Sequence, residues 1–265
     1  AGAHILALAE GMVQQADNLQ QVALEARDDT RGSLSIATTH TQARHVLPPV
    51  VMAFRQHYPE VNLQMHQAAP AQVAELAARG SVDFVIATEA IEHVADLVLM
   101  PSYHWNHVVV VPPGHALDDG APLTLERLAG YPLITYVPGV TGRARIDAAF
   151  AAQAFDPRVA LASVDADVIK TYVRLGLGVG IIARMAGERD GDTELRVLPA
   201  DHLFAPSTTS IGFRRGLALR GYMYEFIRLF APHLARERVE RIAAAHSTAE
   251  RQRLIAELAP LVPAR

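Results

Sequence analysis

At 265 residues and 50% hydrophobic, the chain can bury a large core and is long enough for two subdomains. A formal net charge of −4 gives no global attraction to nucleic acid, and no apolar run is long enough to cross a bilayer. The absence of cysteine excludes disulfides, thiol catalysis and zinc-thiolate sites.

The first thirty residues carry a helical pattern. Ile5, Met12 and Leu19 recur every seven residues, and Leu8, Gln15 and Val22 form a second heptad series on the same face. This reads as a short coiled-coil linker or as a helix packed on its own domain. The polar run Arg27-Asp28-Asp29-Thr30-Arg31-Gly32 ends it as a hinge. Ala1-Gly2-Ala3-His4 lacks the basic start of an export signal, so a cytoplasmic location is expected.

From residue 33 strands and helices alternate. Strands are predicted at 34–38, 61–66, 84–88, 97–112, 133–136, 160–163, 180–183, 195–198 and 209–214. Helices are predicted at 43–57, 70–79, 125–129, 144–154, 166–175 and 219–234. Such spacing implies parallel sheets built from βαβ units. A strand, a hydroxyl-bearing loop and a helix occur at 34–57 and again at 133–154, so two similar α/β halves are expected. The long strand at 97–112 should carry the chain from one half to the other, with Asn106-His107 near the crossing, and 209–214 should carry it back. The expected division is a linker helix and hinge at 1–30, subdomain I at 31–107 plus 208–234, subdomain II at 108–207, and a polar helical tail at 235–265. An interlobe cleft in this arrangement is a common home for a small ligand.

Two loops carry the chemistry. In Thr38-Thr39-His40-Thr41-Gln42-Ala43-Arg44 a strand end passes through a hydroxyl-rich turn into a helix. The unpaired N–H groups and positive dipole end of a helix start, ringed by Thr and Gln, suit a carboxylate or sulfate. Plain N-capping by Thr is the structural alternative. In Pro138-Gly139-Val140-Thr141-Gly142-Arg143 the glycines allow close approach to a ligand, and Thr141 is expected to cap the following helix. Thr88 ends a strand, and Trp105 is the only tryptophan; both are candidates to complete the pocket, with a core role the alternative for Trp105.

Other patterns lead nowhere catalytic. Gly176-Leu177-Gly178-Val179-Gly180 follows a helix and precedes a strand, the reverse of a phosphate-binding fingerprint, and reads as a tight turn. Asp165 and Asp167 read as caps for the helix bearing Lys170 and Arg174. The histidines lack zinc-helix spacing, and no nucleophile elbow, P-loop or carboxylate pair is present. Neither a metal, a cofactor nor an enzymatic activity is expected.

The motifs nevertheless resemble a known family. Thr38-Thr39-His40-Thr41-Gln42-Ala43-Arg44, the stretch from Asp83 to Ala90, Tyr103-His104-Trp105-Asn106 and the stretch from Asp165 to Gly180 resemble CysB-type regulators of the LysR family. So do Ile211-Gly212-Phe213-Arg214-Arg215 and Tyr222-Met223-Tyr224-Glu225-Phe226. The likeness runs from 33 to 234, and the helix before it is similar to that family's linker.

The resemblance implies two Rossmann-like subdomains joined by two crossover strands, a periplasmic-binding-protein-like fold. It implies an effector-sensing domain of a transcriptional activator of sulfur assimilation and cysteine biosynthesis, with O-acetylserine or N-acetylserine as inducer and sulfate or thiosulfate as competing ligands. Carried over by motif, the ligand residues are Thr39, Thr41, Gln42, Thr88, Trp105 and Thr141. The family pattern further implies a homodimer of this fragment and a homotetramer at full length. Promoter DNA would be reached only through a winged helix-turn-helix domain preceding residue 1, and no membrane is involved. The segment Tyr136-Val137-Pro138-Gly139-Val140 departs from the more aromatic family loop. Regulation of sulfonate or taurine use within the family stays open, as does a solute-binding protein for a small anion.

Overall fold

A computed structural model describes residues 30–94, 96–187 and 194–258. The heptads of the first thirty residues lie outside that range, apart from the end of the hinge. The chain divides into two compact units. One takes in the described residues up to Thr39, Leu47–Ser102 and those from Ser210 onward; the other holds His40–Val46 and Tyr103–Thr209. Each contains one five-stranded sheet, and both are mixed α/β.

The first sheet is made of β1 (Gly32–Thr38), β2 (Val61–Gln67), β3 (Phe84–Ala87), β4 (Leu97–Trp105) and β10 (Ser207–Arg214), in the order β2-β1-β3-β10-β4, with the end of β4 from Tyr103 and the start of β10 up to Thr209 counted in the second unit. The β1–β2 and β1–β3 pairs are parallel, as βαβ spacing requires. The antiparallel pairing of β10 with β3 adds a reversed strand to the parallel βαβ pairs expected. A strand that arrives from the other unit has no βαβ crossover to fix its direction. Helices α2 (Leu47–His57), α3 (Pro70–Arg79) and α8 (Gly221–Phe230) pack on this sheet. Phe54 of α2 meets Phe226 of α8 edge-on at 5.5 Å, and Val73 and Ala77 of α3 close over Ala37, Val85 and Ala87.

The predicted helix at 43–57 is in fact two, α1 (His40–His45) and α2, separated at Val46. Pro48 and Pro49 explain the break. They fit the first turn of α2, where an N–H is dispensable, but inside one continuous helix their rings would collide with the preceding turn.

The second unit orders β7 (Val159–Ser163), β6 (Leu133–Tyr136), β8 (Val179–Ala183), β5 (His107–Val111) and β9 (Arg196–Pro199) as β7-β6-β8-β5-β9. Here β6 runs parallel to β7 and β8, whereas β5 is antiparallel to β8 and β9. The predicted single strand at 97–112 is thus β4 and β5 in two different sheets, interrupted at Asn106. Helices α4 (Leu125–Ala129), α5 (Arg143–Ala152), α6 (Ala166–Arg174) and the short α7 (Arg184–Gly187) complete this unit. Two apolar clusters form its core, one around Leu128, Phe150 and Phe204, the other around Ile134, Ile169 and Val173.

The C-terminal segment forms α9 (Arg236–Ala244) and α10 (Thr248–Ala256). It is not the purely polar surface helix expected, because Val239, Ile242 and Ala245 are buried.

Candidate functional site

Parallel pairing of β6 with β8 brings their carboxyl ends to one edge of the second sheet. Tyr136 ends β6, fully buried, and its hydroxyl accepts the backbone N–H of Ala183 at 3.1 Å. Burial drives its pKa well above the ordinary phenol value; the Ala183 N–H and the Thr41 hydroxyl oppose that rise, and the charges of Asp165 and Asp167 add to it. The phenol is therefore a neutral donor at every physiological pH. Thr41 of α1 is 3% exposed, and its Oγ1 is buried beside this phenol without a well-formed hydrogen bond among the described residues. Buried polar atoms in native proteins are nearly always well paired, so a hydroxyl held only by a loose contact at a strand carboxyl edge calls for a reason.

The loop after β6 presents Thr141. Its φ is +45°, a left-handed conformation that β-branched residues rarely adopt. Such strain collects where a chain must present a group in one fixed pose. The cap of α5 is Gly142, at φ +72° and with no side-chain bond, so the expectation that Thr141 caps this helix is corrected. A threonine cap needs extended backbone, and Thr141 is left-handed. Gly142 does not open space for a ligand either. A Cβ there would lie 2.7 Å from Cε1 of His107. The Arg143 guanidinium donates to the Tyr136 carbonyl and its Nε reaches Asp147 Oδ1 at 2.7 Å, which ties both ends of the loop together.

His107, the first residue of β5, supports this loop from below. It is fully buried, edge-on to Trp105 and Phe204, and its Nε2 lies 3.3 Å from the Thr141 carbonyl. A carbonyl only accepts, so Nε2 carries the proton and Nδ1 is a bare acceptor, buried and unpartnered among the described residues. Burial lowers the His107 pKa to about 4, against a smaller upward pull from the bond to Thr141.

Gln42 and Trp105 sit in a buried polar knot. Gln42 Nε2 donates to Thr209 Oγ1 at 3.2 Å, Trp105 Nε1 donates to the same oxygen at 3.1 Å, and the Tyr103 hydroxyl donates to Gln42 Oε1. Both ends of the Gln42 amide and the single indole donor are thereby engaged within the protein. Their observed part is to fix α1 and its Thr41 on the second unit.

A second set of contacts holds the far end of α1. Asp167 pairs with Arg44 and, at 2.7 Å, with Lys170 Nζ, which also donates to the Ala186 carbonyl at 3.0 Å. Burial works to raise the Asp167 pKa, but Lys170, Arg44 and His45 together outweigh it and hold the carboxyl below the usual range. Only Asp165 caps α6, accepting the Asp167 N–H at 2.8 Å. The reading of Asp167 as a second cap is corrected: its side chain belongs to the ion-pair cluster.

Thr39 and Thr88 belong to the first unit. They follow the carboxyl ends of β1 and β3, which pair with each other as far as Thr38 and Ile86. The Thr38 hydroxyl donates to the Ile86 carbonyl at 2.9 Å and fixes that edge. Thus Thr41, Gln42, Trp105 and Thr141 gather on the second unit, and Thr39 and Thr88 on the first. Sequence reasoning did not single out Tyr103, His107, Tyr136 or Thr209. Tyr103 and Tyr136 stood inside quoted motifs as aromatic residues at predicted strands, with nothing to mark their hydroxyls as buried.

Among the described residues no group of His, Asp and Glu could hold a metal ion, and no helix is long and apolar enough to cross a membrane. A family model for the LysR substrate binding domain matches residues 27–235. The transcriptional regulator SsuR of Burkholderia cenocepacia is 48% identical over 227 residues, covering 86% of this chain and 74% of that protein. The regulator CysB of Haemophilus influenzae is 46% identical over 241 residues, covering 91% and 74%. The crystal structure of the cofactor-binding domain of the Cbl transcriptional regulator superposes with a TM-score of 0.77 at 44% identity, covering 80% of this chain and 93% of that one. Its relatives are transcriptional regulators and not enzymes. With its two α/β units of the periplasmic-binding-protein-like class, the chain belongs to the LysR family as an effector-binding domain.

Proposed function

We propose that the chain senses a small sulfur-pathway anion for a cytoplasmic activator of sulfur assimilation and cysteine biosynthesis. The effectors are O-acetylserine or N-acetylserine, with sulfate or thiosulfate as competing ligands. Thr39, Thr41, Gln42, Thr88, Trp105 and Thr141 form the binding set, in which Gln42 and Trp105 act by holding Thr41 in place. The observation that carries the reading is the buried Thr41 hydroxyl without a well-formed hydrogen bond. A ligand oxygen there would complete a contact that the Tyr136 phenol makes only loosely. Neutral hydroxyls and oriented backbone amides suffice for a small anion, as they do at helix termini. Self-association into dimers, with tetramers at the relatives' full length and promoter contact through a helix-turn-helix domain, completes the proposal.

Calorimetric titration with O-acetylserine, N-acetylserine, sulfate, thiosulfate and taurine tests it. Thr41→Val and Thr141→Ala should each weaken binding of the true effector by about 1–2 kcal/mol, the loss expected for one hydrogen bond to a charged ligand. Equal affinity in wild type and both variants would sink the assignment. A second reading, control of sulfonate use, is favoured by the loop after Tyr136. There Tyr136-Val137-Pro138-Gly139-Val140 departs from the more aromatic family loop. Preference for taurine in the same titration would decide for it.

A further inference from the structure

Arg251, in α10, is 9% exposed, and both its Nε and its Nη2 are buried without a hydrogen-bond partner among the described residues. These two nitrogens form one edge of the guanidinium, the edge that meets two oxygens of a carboxylate or tetrahedral oxyanion side by side. An unpaired buried cation is among the costliest groups a fold can contain. A second guanidinium adds to the cost. Arg215, just beyond β10, donates through Nη1 to the carbonyl of Ala245 at 3.3 Å, in the turn that leads from α9 to α10. Burial and then the like charge of Arg215 both pull the Arg251 pKa down. Among the described residues no carboxylate is paired with the Arg251 guanidinium. Glu250, next in sequence, is engaged with the backbone N–H of His246 at 2.9 Å.

We propose that Arg251 and Arg215 form a second anion site, on the first unit, in which the Nε and Nη2 edge of Arg251 grips a small oxyanion or carboxylate. It is separate from the effector residues in both sequence and chemistry. The effector set offers neutral hydroxyls, whereas this one offers two full charges. Arg251 also lies beyond the residues matched by the family model, so the site does not depend on the effector reading.

The test uses the whole chain with inorganic sulfate, phosphate and acetate as probes, against chloride at equal ionic strength. In wild type, the Arg251 Nε–Hε resonance should shift on titration with sulfate and not with chloride. Calorimetry should show a sulfate-binding event that survives Thr141→Ala and disappears in Arg251→Gln. Arg251→Lys keeps the charge but loses the two-pronged edge, and should weaken that event about tenfold or more. Acetate matching sulfate would identify a carboxylate as an equal ligand, and phosphate matching it a general oxyanion site. Loss of the event in Thr141→Ala with retention in Arg251→Gln would overturn the proposal. So would an Arg251 resonance in wild type that ignores all three probes, a result independent of whether any variant folds. Failure of the effector reading removes only the Thr141-sensitive event, so the two outcomes are distinguishable.

Discussion

Gln42 Nε2 and Thr209 Oγ1 meet at 3.2 Å although 167 residues separate them along the chain. With Trp105 on the same hydroxyl, one oxygen anchors two buried N–H donors. Thr209→Val keeps the shape and removes the acceptor. Both donors are then stranded, and unfolding in urea should show a loss of about 2–4 kcal/mol. Thr209→Ser should stay close to wild type. A valine variant as stable as wild type would show that the knot contributes nothing.

His107 should make stability fall with acid. Its folded pKa, about 4, is depressed below the unfolded value of about 6.5 by burial. Between these values the unfolded chain binds the proton and the folded chain does not. The contribution is therefore fully present above pH ~6.5 and is lost as pH falls towards ~4, by roughly 3 kcal/mol in all. Denaturation of wild type and His107→Gln at a series of pH values checks this. The variant should lack that part of the slope, and parallel curves would contradict the assignment.

Asp167 joins Arg44 of α1 to Lys170 of α6. Asp167→Ala removes the carboxylate shared by the buried Lys170 ammonium and Arg44, and should cost about 3 kcal/mol. Because Lys170 and Arg44 hold this carboxyl below the usual range, wild type should also lose stability as pH drops below that range. The variant should lack that part of the loss, while Asp201 and Glu225, also held low by their arginine partners, keep theirs. Differential scanning calorimetry across acidic buffers measures both effects.

Gly139 and Gly142 have nearly the same left-handed φ, +79° and +72°, but different surroundings. Alanine at 139 meets open space and should cost only the conformational term, about 1–2 kcal/mol. At 142 it strikes the His107 ring as well, so the loss should be larger and effector affinity should fall with it. Equal effects at the two positions would remove the case for His107 as the support of the loop.

Much of the fold was legible from local pattern. The runs Phe84-Val85-Ile86-Ala87 and Leu133-Ile134-Thr135-Tyr136 are fully buried strands, and the Gly176–Gly180 segment is the tight helix-to-strand turn its order implied. In that turn a Cβ at Gly178 would sit 2.2 Å from the Pro132 carbonyl. Strand direction was less legible. Val108 to Val111 look the same parallel or antiparallel, and only the route of the chain between units decides. The break at Val46 was hidden because Leu47, Val50, Val51 and Phe54 keep a helical period across the two prolines. Thr39, Thr41 and Gln42 stood out through helix-terminus logic, whereas the knot joining Gln42 to Tyr103, Trp105 and Thr209 is a product of tertiary contact. Likewise the left-handed Thr141 runs against local preference, since Gly142 beside it is the residue that prefers that conformation.

Lys170 is the only lysine in this chain, and it is 3% exposed. Amine-directed acylating reagents therefore find one side-chain target besides the α-amino group. Its rate of labelling reports how often the Asp167–Lys170 contact opens, without any engineered probe. A ligand that tightens α1 against α6 would slow that chemistry, and one that loosens them would quicken it. Mass spectrometry of a single peptide then becomes a direct gauge of how the second unit responds to what it binds.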